Sequence, residues 1–227
     1  MERMEFDLQK GWSKGLRICF EEASSSDDFN IKTALHVKQV HGDKIYDVGP
    51  EDLMKISPLA EADGMMVQGD FFRSFKRPLL IKTADCVPLI LIDREAETIA
   101  IIHAGWRGLA QGIHTKLIDQ GHFEPSKTWA WIGPSLSGRE FEVKEDMWSQ
   151  FPEHKDPTIF EPGPTSDIKY FHTWKYLEKC YDDLGLEVIY NPEVSTYSNE
   201  AFYSHRRSIH RNEERKGHNY TWLRFYE

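Results

Sequence analysis

The 227 residues carry 28 Lys and Arg against 37 Asp and Glu, a net charge of −9, with 40% hydrophobic and 13% aromatic residues. That apolar content excludes a disordered chain, and the length suits one domain over residues 1–227. The acidic balance excludes nucleic-acid binding through the whole surface, but leaves room for a local basic pocket.

At the start, Glu2, Arg3, Glu5 and Asp7 stand where a secretory segment needs an apolar run. Residues 21–30 (EEASSSDDFN) read as a polar surface loop, and residues 49–59 as a short helix or a connection. Strands are predicted at 79–83 (LLIKT), 89–93 (LILID) and 98–103 (TIAIIH), each β-branched or leucine-rich. Leu109, Ile113 and Leu117, with Ala110 and Ile118, carry helical spacing after Gly108. Strands follow at 128–132 (TWAWI) and 141–143, then a surface excursion at 151–167 with four prolines. Trp174, Leu177, Tyr181 and Leu184 predict a helix ended by Gly185, before strands at 187–190 and 220–225. The fold class is α+β (mixed α/β), a mixed sheet flanked by helices. No run reaches 18 apolar residues, so no membrane span is expected. Cys19, Cys86 and Cys180 form no CxxC pair, which suits a reducing, cytoplasmic setting.

The segment from Lys82 to Gly108 is the most informative. If Asp93 faces Thr98 across the short Arg94–Glu97 connection, His103 falls opposite Pro88. Cys86, two residues earlier, then shares a face with His103 as a diagonal neighbour about 7–8 Å away. Pro88 cannot donate a ladder bond, so pairing is expected to fray there. Cys86 reads either as a small buried hydrophobe or as a ligand, and His103 either as a strand-end residue or as its partner. Gly105 and Gly108 at the strand-to-helix turn could admit an anion to backbone amides, with Arg107 adding charge; taken alone, they are better explained by a tight turn that needs glycine.

Gln39-Val40-His41-Gly42, Glu61-Ala62-Asp63-Gly64, Ala84-Asp85-Cys86, His103-Ala104-Gly105-Trp106-Arg107-Gly108, Ile132-Gly133-Pro134 with Phe141-Glu142-Val143, and Phe202-Tyr203-Ser204-His205-Arg206-Arg207 resemble, in this order, the laccase-domain family. Its members have been called multicopper polyphenol oxidases and zinc-dependent purine nucleoside phosphorylases. The resemblance runs from His36 to Leu223 and implies a fold similar to that of a Cys-His deamidase toxin. It implies a zinc site at His41, Cys86 and His103, His41 being placed by the resemblance alone. It also implies phosphorolysis of adenosine, inosine or methylthioadenosine and hydrolytic deamination of adenosine. Purine nucleoside and phosphate are then the partners, for a monomer that engages neither nucleic acid nor membrane. Asp85, Cys86 and Arg206 are the expected catalytic residues, and Arg107, Arg206 and Arg207 the expected substrate and phosphate ligands.

The chain departs from the family at the rim of that site. A Thr-Arg, glycine-rich opening is compressed to Gly15-Leu16-Arg17 and the acidic-serine loop. Ser195-Thr196 replaces a Cys-Thr pair, His205 a tyrosine, His172 an aspartate, and Arg215 or Lys216 a Gly-Arg pair. Three other functions compete: a thiol hydrolase or amidase using Cys86 and His103, a copper-binding phenol oxidase, and a binding protein without catalysis. Copper would bind a His-Cys-His site adventitiously; multicopper oxidation needs many imidazoles, and the 10 His include no His-x-His pair.

Overall fold

The computed structural model describes residues 3–8, 14–22, 31–74, 77–95, 97–214 and 217–226. The acidic-serine loop, beyond its first two residues, and Arg215 and Lys216 lie outside them. In chain order the strands are β1 (Arg3–Asp7), β2 (Leu16–Glu22), β3 (Ile45–Asp47), β4 (Gly64–Gln68), β5 (Leu79–Thr83), β6 (Val87–Asp93) and β7 (Thr98–Ala104). They continue with β8 (Thr128–Ile132), β9 (Glu142–Lys144), β10 (Phe160–Pro162), β11 (Ile168–Phe171), β12 (Glu187–Tyr190) and β13 (Asn219–Phe225). The helices are α1 (Gly69–Ser74), α2 (Trp106–Ala110), α3 (Lys116–Asp119), α4 (Glu145–Trp148), α5 (Thr173–Leu184) and α6 (His205–His210).

A six-stranded mixed sheet, ordered β12-β8-β6-β7-β4-β3, forms the centre. Its outermost pairs, β12 with β8 and β3 with β4, are parallel, and the others antiparallel. Every residue of β6 and β7 is buried. Leu89, Leu91, Ala100 and Ile102 face one apolar core, while Ile90, Ile92, Ile99 and Ile101 face a second. A strand covered on both sides needs apolar residues at every position, which explains the unbroken runs LILI and IAII. The first core is closed by residues of α2, α3, α5 and the three-stranded sheet β10-β11-β9, the second by the four-stranded sheet β1-β2-β13-β5.

The hairpin register is the expected one, with Pro88 opposite His103. Pairing does not fray on that side but continues to Val87 and Ala104. The Pro88 carbonyl accepts from Gly133 N–H at 2.9 Å, so its missing donor faces β8, where the ladder begins only at Leu89.

Three expectations change. The helix after Gly108 is split into α2 and α3, with Gly112 at φ +79° between them. The excursion at 151–167 is not confined to the surface: it contributes β10 and buries Phe151, Ile159 and Phe160. β1 and β2 went unpredicted because charge interrupts their apolar residues. β1 is an edge strand whose Asp7 pairs with Arg17 of β2 at 2.6 Å, a pattern that protects an open edge. α5 ends as expected, with Gly185 left-handed at φ +75°.

Candidate metal centre

Three side chains from separate parts of the chain meet at the end of the central hairpin. His103 is the next-to-last residue of β7, Cys86 immediately precedes β6, and His41 lies in the QVHG turn. Their ligand atoms all lie within 4.8 Å of one another, and the two imidazole centroids are 4.8 Å apart at 85°. Ligands of one tetrahedral zinc ion sit roughly 3.4–3.8 Å apart, given bonds of about 2.0–2.3 Å. A thiolate and two imidazoles are a fitting donor set for such an ion, with a fourth position left open. Among the described residues this is the one cluster of its kind.

Asp63, buried in the EADG segment ahead of β4, organises the centre. Its carboxylate hydrogen-bonds His103 Nδ1 at 2.9 Å, which leaves Nε2 for an ion or for the sulfur. The same carboxylate accepts the backbone N–H groups of Val40, His41 and Gly42 at 3.2, 2.8 and 2.7 Å. These three bonds hold His41 in the left-handed region at φ +61°, a costly conformation for a residue with a side chain. The sequence presents Asp63 as part of a motif and says nothing of this role, because its partners lie 21–40 residues away.

Charge within the centre follows from these contacts. Burial alone would raise the Cys86 thiol, but the charge and hydrogen bond of His103, with the His41 ring, bring it down to about 6. Burial would depress His103, yet the Cys86 charge and the Asp63 bond lift it to about 9. Asp63 is held below the usual carboxylate range: burial opposes ionisation, and the His103 and backbone bonds outweigh it.

Two glycines of HAGWRG serve close approach. A Cβ on Gly105 would lie 3.3 Å from both Cys86 Sγ and His41 Cδ2, and one on Gly108 would lie 2.7 Å from the Gly42 carbonyl. They let α2 dock against the QVHG turn. That is a packing role, in line with the tight-turn reading of these glycines.

A cavity of about 330 Å³ opens beside the trio, large enough for a small ligand. His41, Asp85, Cys86, Arg107 and Arg206 line it together with Trp106, Phe141 and His205. The aromatic walls were not predicted. Arg107 stacks on Trp106 at 4.3 Å, and Arg206 lies 5.8 Å from the Phe141 centroid, donating to the Glu142 carbonyl at 3.1 Å. Asp85, left-handed at φ +87°, accepts from the Thr196 hydroxyl at 2.7 Å and from the Arg206 N–H at 2.6 Å. It ties the entrance of β6 to the start of α6.

Arg207 corrects an expectation. Its guanidinium donates to the carbonyls of Thr196, Tyr197, Asn199 and Phe202, and it does not line the cavity. It braces the loop before α6 instead of facing a phosphate. Of the altered rim, Ser195 hydrogen-bonds Glu140, and His172 Nε2 pairs with Glu161 at 3.0 Å.

The family model described as multi-copper polyphenol oxidoreductase laccase matches residues 20–224. Purine nucleoside phosphorylase YfiH of Shigella flexneri is 31% identical over 135 residues, 56% of this chain and 53% of that protein. A purine nucleoside phosphorylase of Xylella fastidiosa (strain Temecula1) is 29% identical over 180 residues, 75% and 66% of the two chains. The matched region thus spans about half to two thirds of these relatives' length. A Neisseria meningitidis protein of known structure superposes with a TM-score of 0.77 at 19% identity, over 99% of both chains. YlmD from Geobacillus stearothermophilus gives 0.70 at 21% identity, over 88% of this chain and 76% of that one. These two likenesses establish a shared α+β fold. No helix among the described residues is long and apolar enough to cross a membrane.

Proposed function

Because the chain belongs to the multi-copper polyphenol oxidoreductase laccase family, in which the relatives above are named purine nucleoside phosphorylases, we propose that it is a zinc-dependent purine nucleoside phosphorylase. The observation that carries the reading is the His41–Cys86–His103 trio opening onto a cavity with aromatic walls, a carboxylate and two arginines. Zinc held by these three residues would supply Lewis-acid polarisation at its open position.

The chain's own residues account for the rest. Trp106 and Phe141 offer apolar faces to a purine, and Arg107 and Arg206 offer donors to sugar and phosphate oxygens. In phosphorolysis a phosphate oxygen bonds to the anomeric carbon as the bond from that carbon to the purine nitrogen breaks. The electron pair leaves with the base, which takes up the proton released by hydrogen phosphate. In this reading Asp85, held by Thr196 and the Arg206 backbone N–H, carries that proton. Hydrolytic deamination of adenosine, in which water replaces the C6 amino group as ammonia, is the companion activity of this reading.

Incubating the zinc-loaded protein with adenosine, inosine and methylthioadenosine, with and without phosphate, tests it. Free base is expected only with phosphate, and not from Cys86→Ala; ammonia from adenosine reports the companion reaction. Base released from none of the three nucleosides would overturn the proposal.

One observation favours a second reading. The lowered Cys86 thiol beside a raised His103 is also the arrangement of a cysteine nucleophile and its base. His41→Ala separates the two, since it removes a zinc ligand and leaves the dyad intact. The family description names copper, but several copper centres need more ligand clusters than the single trio among the described residues.

A further inference from the structure

The arginine pair expected to hold phosphate is divided by the fold, because Arg207 is committed to backbone carbonyls. Another cation faces the centre. A second concavity of about 520 Å³ adjoins the first, sharing His41, Ala84 and Cys86 with it, and His36, Lys82, His103 and His218 are among its other lining residues. Among the described residues, neither Asp nor Glu lines it. One of its two lysines, Lys38, is neutralised by Glu61 at 2.7 Å. The other, Lys82, is half-buried, and among the described residues no carboxylate offsets the burial that pushes its pKa down.

The position of Lys82 is fixed by the centre itself. The Gln39 side chain donates to the Lys82 carbonyl at 2.7 Å and accepts from the Lys82 N–H at 2.9 Å. Gln39 is two residues from His41, so the turn that delivers a metal ligand also clamps the strand that carries the cation. A half-buried ammonium without a counter-ion is unfavourable until an anion joins it, and a concavity with no carboxylate among its described residues can receive an anion even in a protein of net charge −9.

We propose that Lys82 anchors an oxyanion site in the second concavity, where a phosphate group binds beside the metal centre. The proposal rests on the phosphorylase reading, in which inorganic phosphate enters and a sugar 1-phosphate leaves, each presenting the same tetrahedral group. Calorimetric titration of the zinc-loaded protein with inorganic phosphate, and separately with ribose 1-phosphate, tests it on wild type, Lys82→Met and Lys82→Arg.

Loss of the ammonium in Lys82→Met is expected to weaken anion binding about tenfold or more, with much of it restored in Lys82→Arg. In steady state the KM for phosphate rises while the KM for nucleoside stays near wild type. Tighter binding of inorganic phosphate assigns the site to the co-substrate, and tighter binding of ribose 1-phosphate assigns it to the product; both support the site. Equal affinities of wild type and a Lys82→Met variant with native circular dichroism overturn it. Binding that depends on Lys82 without phosphorolysis of any nucleoside sinks the phosphorylase reading and leaves the anion site standing.

Discussion

The Asp63 carboxylate receives four hydrogen bonds, one from His103 and three from the backbone that carries His41. Both histidines of the centre are therefore oriented by one buried charge, which sets the His103 tautomer and stabilises the strained turn. Replacement by the isosteric amide keeps the shape but removes the charge. Asp63→Asn is expected to lower zinc affinity about 10–100-fold, measured by competition with a chromophoric chelator; unchanged affinity would confine Asp63 to a folding role. Gly105 permits a second test at the same scale. Its φ of −71° suits any residue, so Gly105→Ala should fold and yet press its methyl on Cys86 Sγ and His41. Reduced zinc retention with an unchanged melting temperature is the expected outcome, read by metal analysis after dialysis. At this scale the sequence alone reached only two of the three candidate ligands. Cys86 and His103 are close in register, whereas His41 is 45 residues before Cys86 and joins the site through tertiary contacts that no local pattern announces.

The β6–β7 hairpin was legible because its turn is short and its strands are apolar throughout. An apolar run buried on both faces reads the same in sequence and in space. The short elements were not. β4 (GMMVQ) carries methionines, which favour helices in isolation, and it is a strand only because β7 and β3 pair with it on either side. α6 lies in a basic run, and reading it as a helix needs Ser204, whose hydroxyl accepts from the Arg207 N–H at 3.1 Å. The hairpin also predicts a magnitude. Ile101 is fully buried between β4 and β6, so Ile101→Ala should destabilise the fold by about 2–5 kcal/mol, measured by urea unfolding. A loss below 1 kcal/mol, on the scale of surface substitutions, would mean that the central sheet repacks around the missing atoms.

Across the whole molecule, the six-stranded sheet separates two cores, and a histidine is buried with the first. His114 follows Ile113 and lies against Tyr176 and Tyr181, with its Nδ1 unpartnered among the described residues and its Nε2 3.3 Å from the Tyr176 hydroxyl. Burial pulls it down to about 4 from an ordinary 6.5, and the Asp119 charge offsets only part of this. Between those two values the unfolded chain binds a proton that the native state refuses. Stability from this group is therefore complete above pH 6.5 and is lost as pH falls toward 4, by roughly 3 kcal/mol at about 1.36 kcal/mol per unit. His114→Phe removes the titration while keeping an aromatic ring in the core. Urea unfolding of both proteins at pH 7, 5.5 and 4.5 isolates it, because the remaining titrating groups are common to the two. The variant should gain on the wild type as the medium becomes more acidic; a difference that stays constant would mean that His114 takes up its proton in the folded protein as readily as in the unfolded chain.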